Sequence, residues 1–419
     1  MRGHVKKNKG TWFVVLELER DEEGKRKQKW ISARKELGLN RPAKKAEADA
    51  LLLKILSDAN KTGYYIEPTA ITVEEYMKDW LNEYGKANLR ESTAETYEYH
   101  IKHHIIPEIG HLQLNKLRPY HIKKLYNDKV SGGRADGKDG GLSTSTLQCI
   151  HSIISKALKT AVADEILIRN AADAVAPPRQ REDILKDEND KAWGLEEAVT
   201  FLEAVKEHRL YPLYLLAIYT GMRRGELLGI RWKDIDTQKG AVHIRQELIV
   251  TKKGIKIEEP KTKKSKRSIA ISKEIIQVLK RRKTDQSEEL LKVGRTAEAA
   301  KSDLVFTTSV GTPMGPRNLT RHFERTIAKI NEDAKAKKEN NKIKSIPFHG
   351  LRHTHATLML ELNISHKVTQ ERLGHSRFGT TMDIYTDVNV EMQRDAADRF
   401  EELFLHNDDN EEESKAEHS

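Results

Sequence analysis

Residues 176–192, APPRQREDILKDENDKA, constrain the fold of this 419-residue chain more than any other stretch. Paired prolines followed by dense charge of both signs leave little to bury, so the apolar patterns on either side must close separate cores joined by an exposed linker. At roughly 100–200 residues per domain, the length has room for more than one such core. The hydrophobic period also changes along the chain, from two residues near the start to nearly four further on.

Residues 11–19, TWFVVLELE, are β-rich with partial alternation, and 28–32, QKWIS, form a second strand beyond the polar RDEEGKRK, which reads as a hairpin. Pro42 stands where a helix can begin, residues 43–59 carry Leu51, Leu52, Ile55 and Leu56 on one face, and Gly63 supplies a stop. A small sheet with one covering helix is expected, whose basic residues suit a β-ribbon entering a DNA groove. From residue 70 the pattern is helical. Thr72 and Glu75 make a capping box, after which Val73, Met77, Trp80, Leu81 and Tyr84 recur at helical spacing. A second helix starts near Ser92 and must end by Pro107, a third spans 119–130, and a fourth, with Leu147, Ile150, Ile154 and Leu158, follows the glycine-rich 131–141. Beyond Trp193, helices at 195–206, 211–230 and 273–292 surround one short sheet built from 241–250, 255–259 and 268–271, with a helix end and mobile loop at 331–344.

No run approaches the roughly 18 apolar residues of a membrane span, so a membrane protein is excluded by sequence. The basic opening MRGHVKKNKG has no apolar stretch behind it to serve as a secretory signal, and Cys149 is the only cysteine, which excludes an intramolecular disulfide and a cysteine-rich metal site. A cytoplasmic chain is expected. The net charge of +10 favours a polyanionic partner only weakly, but its distribution says more. Residues 1–65 hold sixteen Lys/Arg against nine Asp/Glu, whereas 401–419 hold eight acids and only Lys415. The basic end suits a contact surface, and 406–419 an acidic disordered tail.

Four segments carry candidate chemistry. In TGMRRGELLGIRWKDID, 220–236, Arg223 and Glu226 share a helical face, an arrangement equally suited to an ordinary ion pair. In HGLRHTHATLML, 349–360, His349, Arg352 and His353 fall on one side of a helix. This stretch lacks the glutamate of HExxH, and an arginine between two histidines would repel a cation, so no metal site is expected. In LGHSRFGTTMDIYTDV, 373–388, Gly374 can end a helix, leaving His375 at the turn and Tyr385 ten residues on. PKTKKSKRSIAIS, 260–272, is a lysine-rich turn and strand. Each alone has a bland reading as a packed or solvated group.

In this order, Arg, Lys, His-x-x-Arg, His, Tyr, the four segments resemble the active site of the tyrosine recombinases, or phage integrases. The resemblance covers residues 193–405 through its motifs and implies a mainly helical catalytic domain with a small β-sheet. It further implies a helical, SAM-like core-binding domain at 70–176, a linker at 177–192, and an arm-type, AP2-like DNA-binding domain at 1–65 built as a three-stranded sheet plus helix. Arg223, Lys261, His349, Arg352 and His375 would be catalytic, Tyr385 the nucleophile, and Glu226 the supporting acid. Gly350 and Asp387 depart from residues frequent in the family at non-catalytic positions, and Lys263, Lys264 and Lys266 compete with Lys261 for its role. No cofactor or metal is implied. The implied partners are duplex DNA at core and arm sites, three further copies of the chain in a tetramer, an excisionase and a DNA-bending host factor. Met392, Ala396, Phe400, Leu403 and Phe404 have the spacing of a C-terminal helix that would dock on its own domain or on a neighbouring protomer. The alternatives are a type IB topoisomerase, disfavoured by the arm-like domain, and a DNA-binding regulator with relic residues, disfavoured because every catalytic position holds a competent group.

Overall fold

The computed structural model describes residues 1–20, 26–63, 65, 70–132, 134, 137, 139–178, 192–260, 265–294, 303–337 and 342–374, in two compact units, 1–181 and 182–419. The linker expected at 177–192 therefore lies almost wholly outside the described residues, as do the C-terminal helix and the acidic tail.

The first unit opens with an antiparallel sheet in the order β1 (Arg2–Asn8), β2 (Thr11–Arg20), β3 (Arg26–Ser32). Strands β2 and β3 are the expected hairpin; β1 is too polar for its alternation to stand out. A short helix α1 (Ala33–Glu36), capped by Ser32, leads to α2 (Lys45–Thr62), which ends on Gly63 in the left-handed conformation. Val14, Leu16, Ile31, Ala48 and Leu51 form a small core between sheet and helix.

The helical segment has its own core. It begins with α3 (Val73–Trp80), whose Thr72 and Glu75 make the expected capping box, and continues through a π-helical turn at Leu81–Gly85 into α4 (Lys86–Asn88). Helix α5 (Glu91–His100) ends before Pro107 as expected, though helical backbone of other kinds follows it. The chain passes through a second π-helical turn, Ile101–Ile105, into α6 (Ile106–Ile109), where Pro107 falls in the first turn. A first-turn N–H has no intrahelical partner, so proline loses nothing there. Helices α7 (Pro119–Ser131) and α8 (Thr144–Ala163) complete the segment. The Tyr76 hydroxyl donates to Ala157 O and the Trp80 indole to Thr160 Oγ1, tying α3 to α8.

In the second unit α9 (Leu195–Ala204) precedes what looked like one helix over 211–230. It is two, α10 (Tyr211–Thr220) and α11 (Arg224–Gly229), parted at Gly221, whose φ of +62° ends α10. The single strand expected over 241–250 is likewise divided. After β4 (Ile235–Asp236), β5 (Ala241–Ile244) pairs in the order β4-β5-β8 with β8 (Arg267–Ala270), while β6 (Glu247–Thr251) and β7 (Gly254–Glu258) form a separate two-stranded sheet. Helices α12 (Lys273–Lys292), α13 (Pro316–Lys337), α14 (Gly350–Glu361) and α15 (His366–Leu373) follow. Trp193 anchors the core against Phe201 and Phe323, with ring centroids 5.0 and 5.6 Å away. Its indole N–H donates to Lys344 O and its backbone N–H to Thr354 Oγ1 of α14. Among the described residues no helix is long and apolar enough to cross a membrane.

Candidate active site

Residue 223 is the N-cap of α11, with extended backbone angles, and Glu226 is the third residue of that helix. Glu226 turns back to accept the Arg223 backbone N–H and side-chain Nη1, each at 2.9 Å, so the carboxylate fixes both main chain and guanidinium. Its buried carboxylate also accepts two bonds from Arg267 of β8, at 3.0 and 2.9 Å. Burial alone would raise the Glu226 pKa; the bonds and charge of Arg267, with those of Arg223, outweigh it and hold the group ionised below its ordinary value.

Arg352 lies in the first turn of α14, buried, and donates from Nη1 to Gly221 O and from Nη2 to Leu373 O, both at 2.7 Å. Burial, and next the charge of Arg223, pull its pKa down to about 9, which leaves it charged at neutral pH. Arg223 Nη2 reaches Gly374 O at 3.3 Å, so two guanidinium groups from different helices rest on consecutive carbonyls where α15 ends. A third, Arg267, donates through Nε to Arg372 O, the carbonyl just before them. A guanidinium has five N–H donors. Among the described residues Arg223 and Arg352 each spend two on the protein, which leaves both with donors for an anion.

His349 is the N-cap of α14, with the His353 ring 5.2 Å away edge to face. Although part of His349 faces solvent, desolvation of its ring, then the charges of His353, Arg352, Arg223 and Arg224, lower its pKa to about 4. At neutral pH it is an uncharged imidazole able to accept a proton. The surplus of positive charge that depresses it is what a phosphate would relieve.

Arg223, Glu226, His349 and Arg352 are thus brought together. Lys261, His375 and Tyr385 lie outside the described residues, as do Lys263 and Lys264. Three contributors escaped the reading of the sequence. Arg267 stands two residues before the buried Ile269 and so shares its face of β8, a signal that it faces inward. His355, buried, donates from Nδ1 to Ile218 O and faces the Arg372 guanidinium through Nε2; Arg372 in turn binds Tyr219 O and Ala270 O. No spacing rule points to those backbone partners. Among the described residues no cluster of three or more His, Cys, Asp or Glu is placed to hold a metal ion.

Residues 194–392 match the Phage integrase family, and residues 72–130 match the phage integrase N-terminal SAM-like domain. A tyrosine recombinase XerC-like protein of Caldanaerobacter subterraneus subsp. tengcongensis is 28% identical over 417 residues, covering 96% of this chain and 98% of its own length. The Tn1549 transposon integrase, solved with transposon right end DNA, superposes with a TM-score of 0.61 at 22% identity, over 78% of this chain and 99% of that one. A lambda integrase tetramer bound to a Holliday junction superposes with a TM-score of 0.51 at 17% identity, over 90% of this chain and 93% of that one. The matched segments span more than half of the sequence and contain the arginine clamp, and on these grounds the chain belongs to the phage integrase family of tyrosine site-specific recombinases.

Proposed function

We propose that this chain integrates and excises a mobile element, a prophage or an integrative and conjugative element, with Tyr385 as the nucleophile of DNA cleavage. The observation that carries this reading is the seating of Arg223 and Arg352 on the consecutive carbonyls Gly374 O and Leu373 O, immediately before His375. The Tyr385 phenol, with an ordinary pKa of about 10, loses its proton to His349 or His375 as its oxygen bonds to phosphorus. The bond from phosphorus to the 5′-oxygen breaks, and Lys261 supplies the leaving oxygen with a proton. In the five-coordinate phosphorane the non-bridging oxygens gather charge, which the remaining N–H groups of Arg223 and Arg352 receive. The 3′-phosphotyrosine keeps the bond energy, so a 5′-hydroxyl of another strand reverses the step and frees Tyr385. Four cleavages exchange two duplexes, which calls for a cytoplasmic homotetramer on DNA passing through a Holliday junction. Residues 1–65 act as the arm-binding domain, 70–176 as the core-binding domain and 193–405 as the catalytic domain. Linking arm and core contacts in one protomer raises avidity through effective concentration. An excisionase and a DNA-bending host factor set direction.

The test is a nicked suicide duplex carrying the junction of the circularised element, incubated without metal and run on a denaturing gel. Wild type traps a covalent protein–DNA species, and Tyr385→Phe abolishes it while gel-shift binding persists. An adduct surviving that change moves the nucleophile elsewhere, relaxation of supercoiled plasmid without strand transfer indicates a topoisomerase, and neither product indicates a regulator.

A further inference from the structure

One carboxylate, Glu226, meets two guanidinium groups, and the two contacts differ. Arg267 sets a separate N–H on each oxygen, at 3.0 and 2.9 Å, with its side chain 7% exposed. Arg223 gives the carboxylate one side-chain N–H and remains 35% exposed. The bidentate contact, in the drier position where attraction is least screened, belongs to Arg267. Arg267 also donates to Arg372 O and to Ser265 O, so four of its five N–H groups are spent inside the protein. Gly374 closes over it: a Cβ there would stand 3.0 Å from Arg267 Cδ and Nη1. Among the described residues the contacts of Arg267 are therefore with the protein's own interior.

The arrangement resolves a conflict. Glu226 must hold Arg223, because it binds both its backbone N–H and its guanidinium. A lone carboxylate, however, would cancel the charge it positions. We propose that Arg267 is the counter-ion of Glu226, a positioning residue that neutralises the carboxylate so that Arg223, held by the same group, presents an uncompensated positive charge to the scissile phosphate. This inference rests on the phosphoryl-transfer reading of the site given above.

The experiment compares wild type, Arg267→Met, Arg267→Lys and the double variant Glu226→Gln/Arg267→Met in single-turnover cleavage of the same suicide duplex, with the scissile phosphate either normal or replaced by a neutral methylphosphonate. Rates are taken per DNA-binding-competent protein. Arg267→Met should cleave the normal phosphate about 10²-fold more slowly, the scale of losing one preorganised donor. On the methylphosphonate, which has less charge to be neutralised, its deficit should shrink to within about tenfold. Arg267→Lys keeps the counter-charge and should stay within about tenfold of wild type even with weaker bidentate geometry. The double variant, in which no carboxylate offsets Arg223, should outpace Arg267→Met. Equal deficits on both substrates, a lysine variant as slow as the methionine one, or a double variant slower than the single would reduce Arg267 to a structural residue and overturn the inference. Wild type that traps no adduct would bring down the reading of the site itself, whereas a normal wild-type adduct with Arg267→Met at full rate defeats only the counter-ion role.

Discussion

Gly221 sits at the junction of all the elements that hold the arginines, and Gly221→Ala measures how tightly they are joined. Its φ of +62° costs an L-residue about 1–2 kcal/mol. The added methyl would also lie 2.6 Å from Leu373 Cδ2 and 2.7 Å from His355 Cδ2, inside any tolerable contact distance. Neither neighbour is a free side-chain end: Leu373 and His355 are both buried. Overpacking at a closed site adds about 1–3 kcal/mol, so the total loss should be about 2–5 kcal/mol. Gly294 is the control, with φ +67° and, among the described residues, nothing within 4 Å of its would-be methyl; Gly294→Ala should lose only the backbone part. Amide exchange in peptides from α10 and α14, followed as urea rises, reads the difference without mixing in the other unit. Because Gly221 O accepts from Arg352 and Leu373 O is its other anchor, the same methyl should slow DNA cleavage by about 10²-fold, the scale of a 1 Å misplacement. An alanine variant as stable as Gly294→Ala and cleaving at the wild-type rate would refute the close packing on which this arithmetic depends.

Two further outcomes follow from the same neighbourhood. Desolvation and then the charge of Arg372 lower the His355 pKa to about 4, so between pH 6.5 and 4 the unfolded chain binds a proton that the folded chain refuses. Stability is full above pH 6.5 and is lost as pH falls through this window, by up to about 3 kcal/mol for a shift of this size; urea unfolding of His355→Gln at pH 7 and pH 4.5 should show a correspondingly flatter dependence. Thr354→Val removes the acceptor of the buried Trp193 N–H and should cost about 1–3 kcal/mol, measured by the same amide-exchange titration, with cleavage rate per folded molecule unchanged.

Much of the local architecture is legible because its signals are local. The Thr72–Glu75 box and the Gly63 stop each depend on residues within one turn, and both stand where expected. The misreadings share a cause of another kind. Residues 211–230 carry apolar runs at both ends that read as one helix, but Gly221 must bring its carbonyl to Arg352, a demand made from 131 residues away. The break in 241–250 likewise serves pairing: β5 joins β8, and β6 turns aside to β7. The end of the second helix before Pro107 is legible, but the π-helical turn at Ile101–Ile105 that follows it has no local sequence signal. At the site, the residue types of Arg223, Glu226, His349 and Arg352 announce themselves by spacing. Their anchors are backbone carbonyls, and no residue type encodes a carbonyl.

Those carbonyls explain how the end of α15 belongs to the arginine site. The last carbonyls of a helix have no intrahelical donor and carry the negative end of its dipole. In α15 the carbonyls of Arg372 and Leu373, with that of the cap Gly374, are met in succession by Arg267, Arg352 and Arg223, from β8, α14 and the start of α11. Each guanidinium gains an acceptor that does not cancel its charge, as a carboxylate would, and the helix end gains the donors it lacks. Gly374, with φ +69°, caps the helix directly over Arg267. A displacement of α15 would therefore disturb an anchor of all three arginines together, so Arg223, Arg267 and Arg352 are not positioned independently of that helix end.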